Sequence, residues 1–202
     1  MKQTMLFLLS RFRYDGKGLK PRVVVLVGDA PRTGATSIAA GLAELFGQDM
    51  SGRVLLVDPR PTRSKLRQRL DGEQIHPPPA PVGSADATPA DATVLRSRSG
   101  GFDVLQVMNP RGATETAFRE YAAQSYTIYN LIIIDAGPLD GKMIHRVNGI
   151  ADSTLLVVDS RRTTTYMLER IKATLAARNL SIDGIILNRH RSYVPRWLGG
   201  RA

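Results

Sequence analysis

The chain has 202 residues, 43% of them hydrophobic, which suits one ordinary domain with a sizeable core and excludes a multidomain machine. It has no cysteine, so a disulfide framework, a thiolate metal site and a thiol nucleophile are all excluded. Its 28 Lys and Arg against 18 Asp and Glu leave a net charge of +10, and whether that excess is clustered decides whether it points to a polyanionic partner.

In chain order, the first apolar run is Met5 to Leu9, broken by Ser10, Arg11 and Arg13. A spanning helix needs about 20 apolar residues. A secretory signal needs a longer apolar stretch followed by small residues. The chain therefore reads as cytoplasmic. Residues 1–20 form a basic segment in which Met5, Leu6, Leu9 and Phe12 share one helical face, the pattern of a helix that packs on the domain or on a partner.

Val23 to Val27 is an unbroken apolar run closed by Gly28, and Ile38, Leu42, Leu45 and Phe46 recur at helical spacing after Gly34. This predicts strand, loop, helix. The alternation continues with a strand at 54–57 and helix at 66–70, a strand at 102–107 and helix at 113–124, and a strand at 131–134 and helix at 142–148. A strand at 154–158, a helix at 165–178 and a strand at 184–187 close the series. Strands so uniformly apolar are buried on both faces, which predicts a three-layer α/β domain over residues 21–190, with a mostly parallel sheet flanked by helices. Residues 72–101, with Pro77, Pro78, Pro79, Pro81 and Pro89 among small polar residues, read as a mobile surface loop. Residues 191–202 read as a basic aromatic tail.

The first strand runs through Gly28, Asp29, Ala30, Pro31, Arg32, Thr33, Gly34, Ala35, Thr36 and Ser37 directly into a helix. In a P-loop such a turn aims backbone N–H groups at nucleotide phosphates, a Lys reaches the terminal phosphates, and a Ser or Thr hydroxyl ligates Mg²⁺. Here Ala35 occupies the Lys position and Asp29 replaces the first Gly. An ordinary strand-to-helix turn is the competing reading, with Thr36 and Ser37 capping the helix. Asp58 and Asp135 end apolar strands, where ligands bind an open α/β sheet, and an acid so placed can hold Mg²⁺. The alternative for both is a cap on the turn that follows. His76, His145 and His190 show no metal-ligand spacing.

Residues 28–46, 54–61, 130–138 and 151–188 together resemble the bacterial tyrosine kinase (BY-kinase) branch of the ParA/MinD-like P-loop ATPases, of the capsule and exopolysaccharide type. The family's loop reads approximately S-P-x-P-G-E-G-K-S-T, of which Pro31, Gly34, Thr36 and Ser37 are kept. Asp58 falls on its second acidic motif and Asp135 on its Walker B motif, while Leu187, Asn188 and Arg189 match the strand whose Asn lies near the adenine. The resemblance implies ATP or ADP with Mg²⁺, a nucleotide contact set of Pro31, Arg32, Thr33, Gly34, Ala35, Thr36, Ser37 and Asn188, and metal contacts from Thr36, Asp58 and Asp135. The departures are Ala35 for the Lys, Arg32 and Thr33 for a Gly-Glu pair, and Arg60 for a second Asp. The family's tyrosine cluster shrinks to Tyr193. These imply a degenerate member, a regulatory or scaffolding subunit of exopolysaccharide synthesis with little or no ATP turnover. An active atypical ATPase or autokinase, with Arg32 standing in for the Lys, is the alternative.

The positive charge is clustered. Arg60, Arg63, Lys65, Arg67 and Arg69 lie in one acid-free run, and Arg189, Arg191, Arg196 and Arg201 share the tail with Tyr193 and Trp197. Basic residues near an anionic leaflet contribute about 1 kcal/mol each, so an anionic membrane surface is one expected contact and the protein is placed at the inner face of the cell membrane. The resemblance adds the cytoplasmic end of a transmembrane polysaccharide copolymerase and self-association. Nonspecific DNA binding of the ParA kind is the further alternative.

Overall fold

A computed structural model describes residues 22–49, 53–58, 73–75, 92–97, 101–107, 128–141, 143–147 and 149–190. The apolar runs become strands: β1 (Arg22–Gly28), β2 (Val54–Asp58), β3 (Glu73–Ile75), β4 (Ala92–Arg96), β5 (Phe102–Val107), β6 (Leu131–Pro138), β7 (Ser153–Asp159) and β8 (Gly184–Asn188). Three helices are described: α1 (Ala35–Asp49), α2 (Met143–Val147) and α3 (Thr165–Ala177). The eight strands form one sheet in the order β3-β4-β5-β2-β6-β1-β7-β8. All neighbours from β5 to β8 pair in parallel, and β4 pairs antiparallel with both β3 and β5.

Both faces of the sheet are covered. On one face Val24, Leu26, Leu56 and Ile133 pack with Ala39, Leu42 and Phe46 of α1. On the other, Val25, Leu55, Ile134 and Leu156 pack with Ile144 of α2, while Leu168, Ile171 and Leu175 of α3 press on the same layer. Each fully buried Val, Leu or Ile contributes about 1.5–3 kcal/mol, which is why the central strands carry runs of apolar residues on both faces rather than at alternate positions.

One expectation is corrected here. Residues 72–101 are not a loop throughout, because 73–75 and 92–96 are strands and Val94 and Leu95 are buried. Residues 1–21, 191–202 and the helices expected at 66–70 and 113–124 lie outside the described residues, as do His76, Tyr193 and the basic run from Arg60 to Arg69. No helix among the described residues is long and apolar enough to cross a membrane.

Candidate functional site: a phosphate loop at the carboxyl edge

β1 leaves the centre of the sheet at Gly28 and the chain turns through residues 29–34 into α1. Two residues of this loop take the left-handed conformation, Arg32 at φ 68° and Gly34 at φ 94°. At Gly34 the requirement for glycine is also steric, since a Cβ there would collide with the Asn188 amide nitrogen. Ile38 N–H donates to Gly34 C=O at 3.0 Å at the start of α1, and the first N–H groups of a helix point out of its amino end. No acid lies in the first turn of α1 to compete for its positive end. Thr36 and Ser37 sit inside the first turn of α1 rather than at its cap, with Thr36 half-buried and Ser37 exposed.

The loop is held from the β7–β8 side. Asn188 donates from its amide to Thr33 C=O at 2.6 Å, and its amide oxygen accepts Arg189 N–H at 2.9 Å. Arg189 donates from Nη1 to Arg32 C=O at 3.1 Å and pairs with Asp159. At the start of the loop, Thr163 Oγ1 donates to Asp29 Oδ2 at 2.6 Å. Asp29, where the resemblance expects the first glycine of the motif, is thereby turned toward the β7–α3 turn. In a planar trans peptide the N–H points opposite to the C=O. Anchoring the carbonyls of Arg32 and Thr33 at β8 therefore turns the N–H groups of Thr33 and Gly34 away from it. Alternating left-handed residues with N–H groups on one side make an anion-binding concavity.

Asp159 is the hub of this support. It is 2% exposed, accepts Arg161 N–H at 3.2 Å on Oδ1, and its backbone carbonyl accepts the N–H groups of Arg162 and Thr163. Burial works to raise its pKa, but the Arg189 hydrogen bond and the Arg161 N–H outweigh it and hold the carboxyl below its ordinary value.

The two carboxylates expected at strand ends come together. The parallel register pairs Val57 with Ile134, so Asp58 and Asp135 occupy the next positions on adjoining strands, on the sheet face that carries α1. Both are fully buried, and Asp135 also caps its turn by accepting Gly137 N–H at 3.1 Å. Gln106, 5% exposed, is paired with Asp58 across β5 and extends this polar row. The donors available to a cation are hard oxygens from a hydroxyl and carboxylates, which suit Mg²⁺ held jointly with phosphates. No group of three or more His, Cys, Asp or Glu is found among the described residues, and His145 and His190 are exposed. Ala35, at the position where the resemblance expects a lysine, is 6% exposed and packs in the apolar layer beneath α1. Pro31 and Arg32 are exposed at the crest.

Of these residues, Asp159, Arg161, Thr163 and Gln106 were not picked out by sequence. Gln106 carries a readable signal, a polar residue inside an apolar strand. Asp159, at the end of β7, repeats the strand-end acid pattern of Asp58 and Asp135.

No family model matches the chain, and no curated protein does. Solved structures do. The kinase domain of VpsO superimposes with a TM-score of 0.66 at 24% identity, covering 94% of this chain and 95% of that one. The kinase domain of the Escherichia coli tyrosine kinase ETK gives 0.68 at 16% identity over 96% and 78%. The septum site-determining protein MinD of Pyrococcus horikoshii, complexed with Mg-ADP, gives 0.62 at 21% identity over 84% and 71%. The chain has the fold shared by bacterial tyrosine kinase domains and ParA/MinD-like ATPases.

Proposed function

We propose that the chain is a regulatory or scaffolding subunit of exopolysaccharide or capsule synthesis and export, whose phosphate loop takes ATP or ADP weakly and turns it over little. The observation that carries this reading is Ala35, a buried methyl group at the first position of α1 within an otherwise well-supported phosphate loop. A missing charge-assisted contact costs roughly 1.5–3 kcal/mol in ground-state binding. It costs more in the transition state, where charge grows on the transferring phosphoryl group. The cradle thus retains backbone recognition of phosphate and lacks its main cation. Thr36, Asp58 and Asp135 would hold Mg²⁺, which would supply positive charge to offset that of the phosphates.

Titration with a fluorescent ATP analogue tests the cradle: weak binding that Thr36→Ala reduces is the expected result. Ala35→Lys should tighten it by about tenfold or more, corresponding to recovery of one charged contact. A brisk Mg²⁺-dependent ATPase or tyrosine phosphorylation rate, abolished by Asp135→Asn, would overturn the regulatory reading. One observation favours a second reading, that of an active atypical ATPase: Arg32 is an exposed cation on the crest of the loop. If it serves the phosphates, Arg32→Ala abolishes turnover. On the regulatory reading the chain works through contacts, with the cytoplasmic end of a transmembrane polysaccharide copolymerase, with copies of itself, and with the inner face of the cell membrane.

A further inference from the structure

Among the described residues, the edge of the sheet at β8 is fully covered on one face only. Ile186 packs into the layer beneath α1, whereas Ile185 and Leu187, on the opposite face, are 56% and 55% exposed. The register pairs Ile185 with Leu156 and Leu187 with Val158, so both belong to the apolar face that α3 is meant to shield. α3 shields it incompletely. None of its residues is fully buried, and a cavity of about 640 Å³ opens between α3 and the β7–β8 edge, lined by Leu156, Leu168, Leu175, Leu180 and Ile185 among others. Two bulky aliphatic residues exposed side by side at a sheet edge with no further strand among the described residues, next to an apolar groove, mark a surface suited to another element.

We propose that this groove is the docking site of the chain's own amino-terminal segment, with Met5, Leu6, Leu9 and Phe12 as the inserted face. Three considerations support that occupant. The segment carries an apolar face at helical spacing, matched in kind to the groove. It reaches: β8 lies two strands from β1, about 10 Å across the sheet, and residues 13–21, extended, span up to about 30 Å. It is tethered directly to β1, which gives it an effective concentration in the millimolar range that a free partner helix would have to match. The same α3 and β8 that border the groove connect at their ends to Thr163, Asn188 and Arg189, the side chains that hold the phosphate loop. Docking would therefore bear on the loop from behind, and this inference stands on the groove whether or not nucleotide binds.

The natural absence of cysteine makes the test clean. In the full chain, Leu9→Cys combined with Leu187→Cys is oxidised with diamide, and Leu9→Cys combined with Glu44→Cys serves as the control, since Glu44 is exposed on α1 across the sheet. The expected result is a disulfide within one chain for the first pair and none for the control. A disulfide between chains would assign the groove to a second copy and overturn the proposal. Absence of a bond, or equal bonding in the control, would overturn it as well. As an independent measurement, deletion of residues 1–13 should raise bis-ANS fluorescence at least threefold and a peptide of residues 1–13 should reverse it. Unchanged dye binding counts against the proposal.

Discussion

The support of the phosphate loop rests on a few side chains whose removal has predictable effects. Gly34 combines a left-handed backbone with contact against Asn188, so Gly34→Ala carries both conformational strain and a collision. The expected cost is about 1–3 kcal/mol in urea unfolding, with weaker binding of the ATP analogue. Asn188→Ala leaves Thr33 C=O without its donor and should cost about 1 kcal/mol. Its more telling effect is on ligand: with the carbonyl released, the Thr33 and Gly34 N–H groups lose their orientation and affinity for phosphate falls. Asp159 gives a pH signature. Its folded pKa is depressed, so the stability it contributes is present above the unfolded value, near 4, and is lost as pH falls through the folded value. Asp159→Asn should therefore lower Tm at pH 7, and the gap to wild type should narrow as the pH is lowered through the acid range. A gap of constant size down to pH 2 would show that charge at Asp159 is not what holds the turn. The positions of Gly34 and Thr36 in the turn into α1, and of Asp58 and Asp135 at strand ends, were legible because motif spacing and strand ends mark them locally. The Arg189 to Arg32 and Asn188 to Thr33 contacts were not, since they join positions about 155 residues apart and follow only from the β1-β7-β8 order.

At the level of elements, the central strands were legible because burial on both faces writes an unbroken apolar run, and β5 matches its expected span at both ends. β3 and β4 were not. They are short, antiparallel, and carried in a segment whose prolines and small polar residues dominate any window drawn across it. Val94 and Leu95 anchor β4 in the core, and a polar tie adds to them: Asp103 of β5, 3% exposed, accepts from Tyr129 Oη at 2.9 Å and pairs with Arg53 at 2.5 Å and Arg96 at 3.4 Å. Arg53 also lies over the Tyr129 ring, 5.2 Å from its centre. One carboxylate thus ties β4, β5 and the residues leading into β2 and β6. Both arginines are about half exposed and can be rehydrated, so most of the penalty for losing Asp103 falls on the buried Tyr129 hydroxyl. Asp103→Ala should cost about 2 kcal/mol and Tyr129→Phe about 1 kcal/mol in urea unfolding. A double variant close to Asp103→Ala alone would confirm that the two act as one unit.

For the whole molecule, a net charge of +10 acts at a distance only where it is concentrated, because charges further apart than about 8 Å are screened at physiological salt. In residues 189–202, Arg189, Arg191, Arg196 and Arg201 share an acid-free stretch with Trp197 and Leu198. Arg189 is already committed to Asp159, which leaves three cations for an outside partner. Three cations at about 1 kcal/mol each amount to roughly a hundredfold preference for an anionic bilayer, and an indole ring at headgroup level adds an apolar anchor that a duplex does not reward. The protein should therefore sediment with vesicles containing anionic lipid at about 150 mM salt and not with neutral ones. Removal of residues 191–202 should lower that partitioning at least tenfold, and Trp197→Ala should lower it by a smaller factor that salt does not change. Duplex DNA gives the opposite pattern: a gel shift that weakens steeply with salt, insensitive to Trp197, with no vesicle pelleting. That outcome would make nucleic acid the partner of the basic tail and would shift the functional reading from polysaccharide export toward ParA-type positioning.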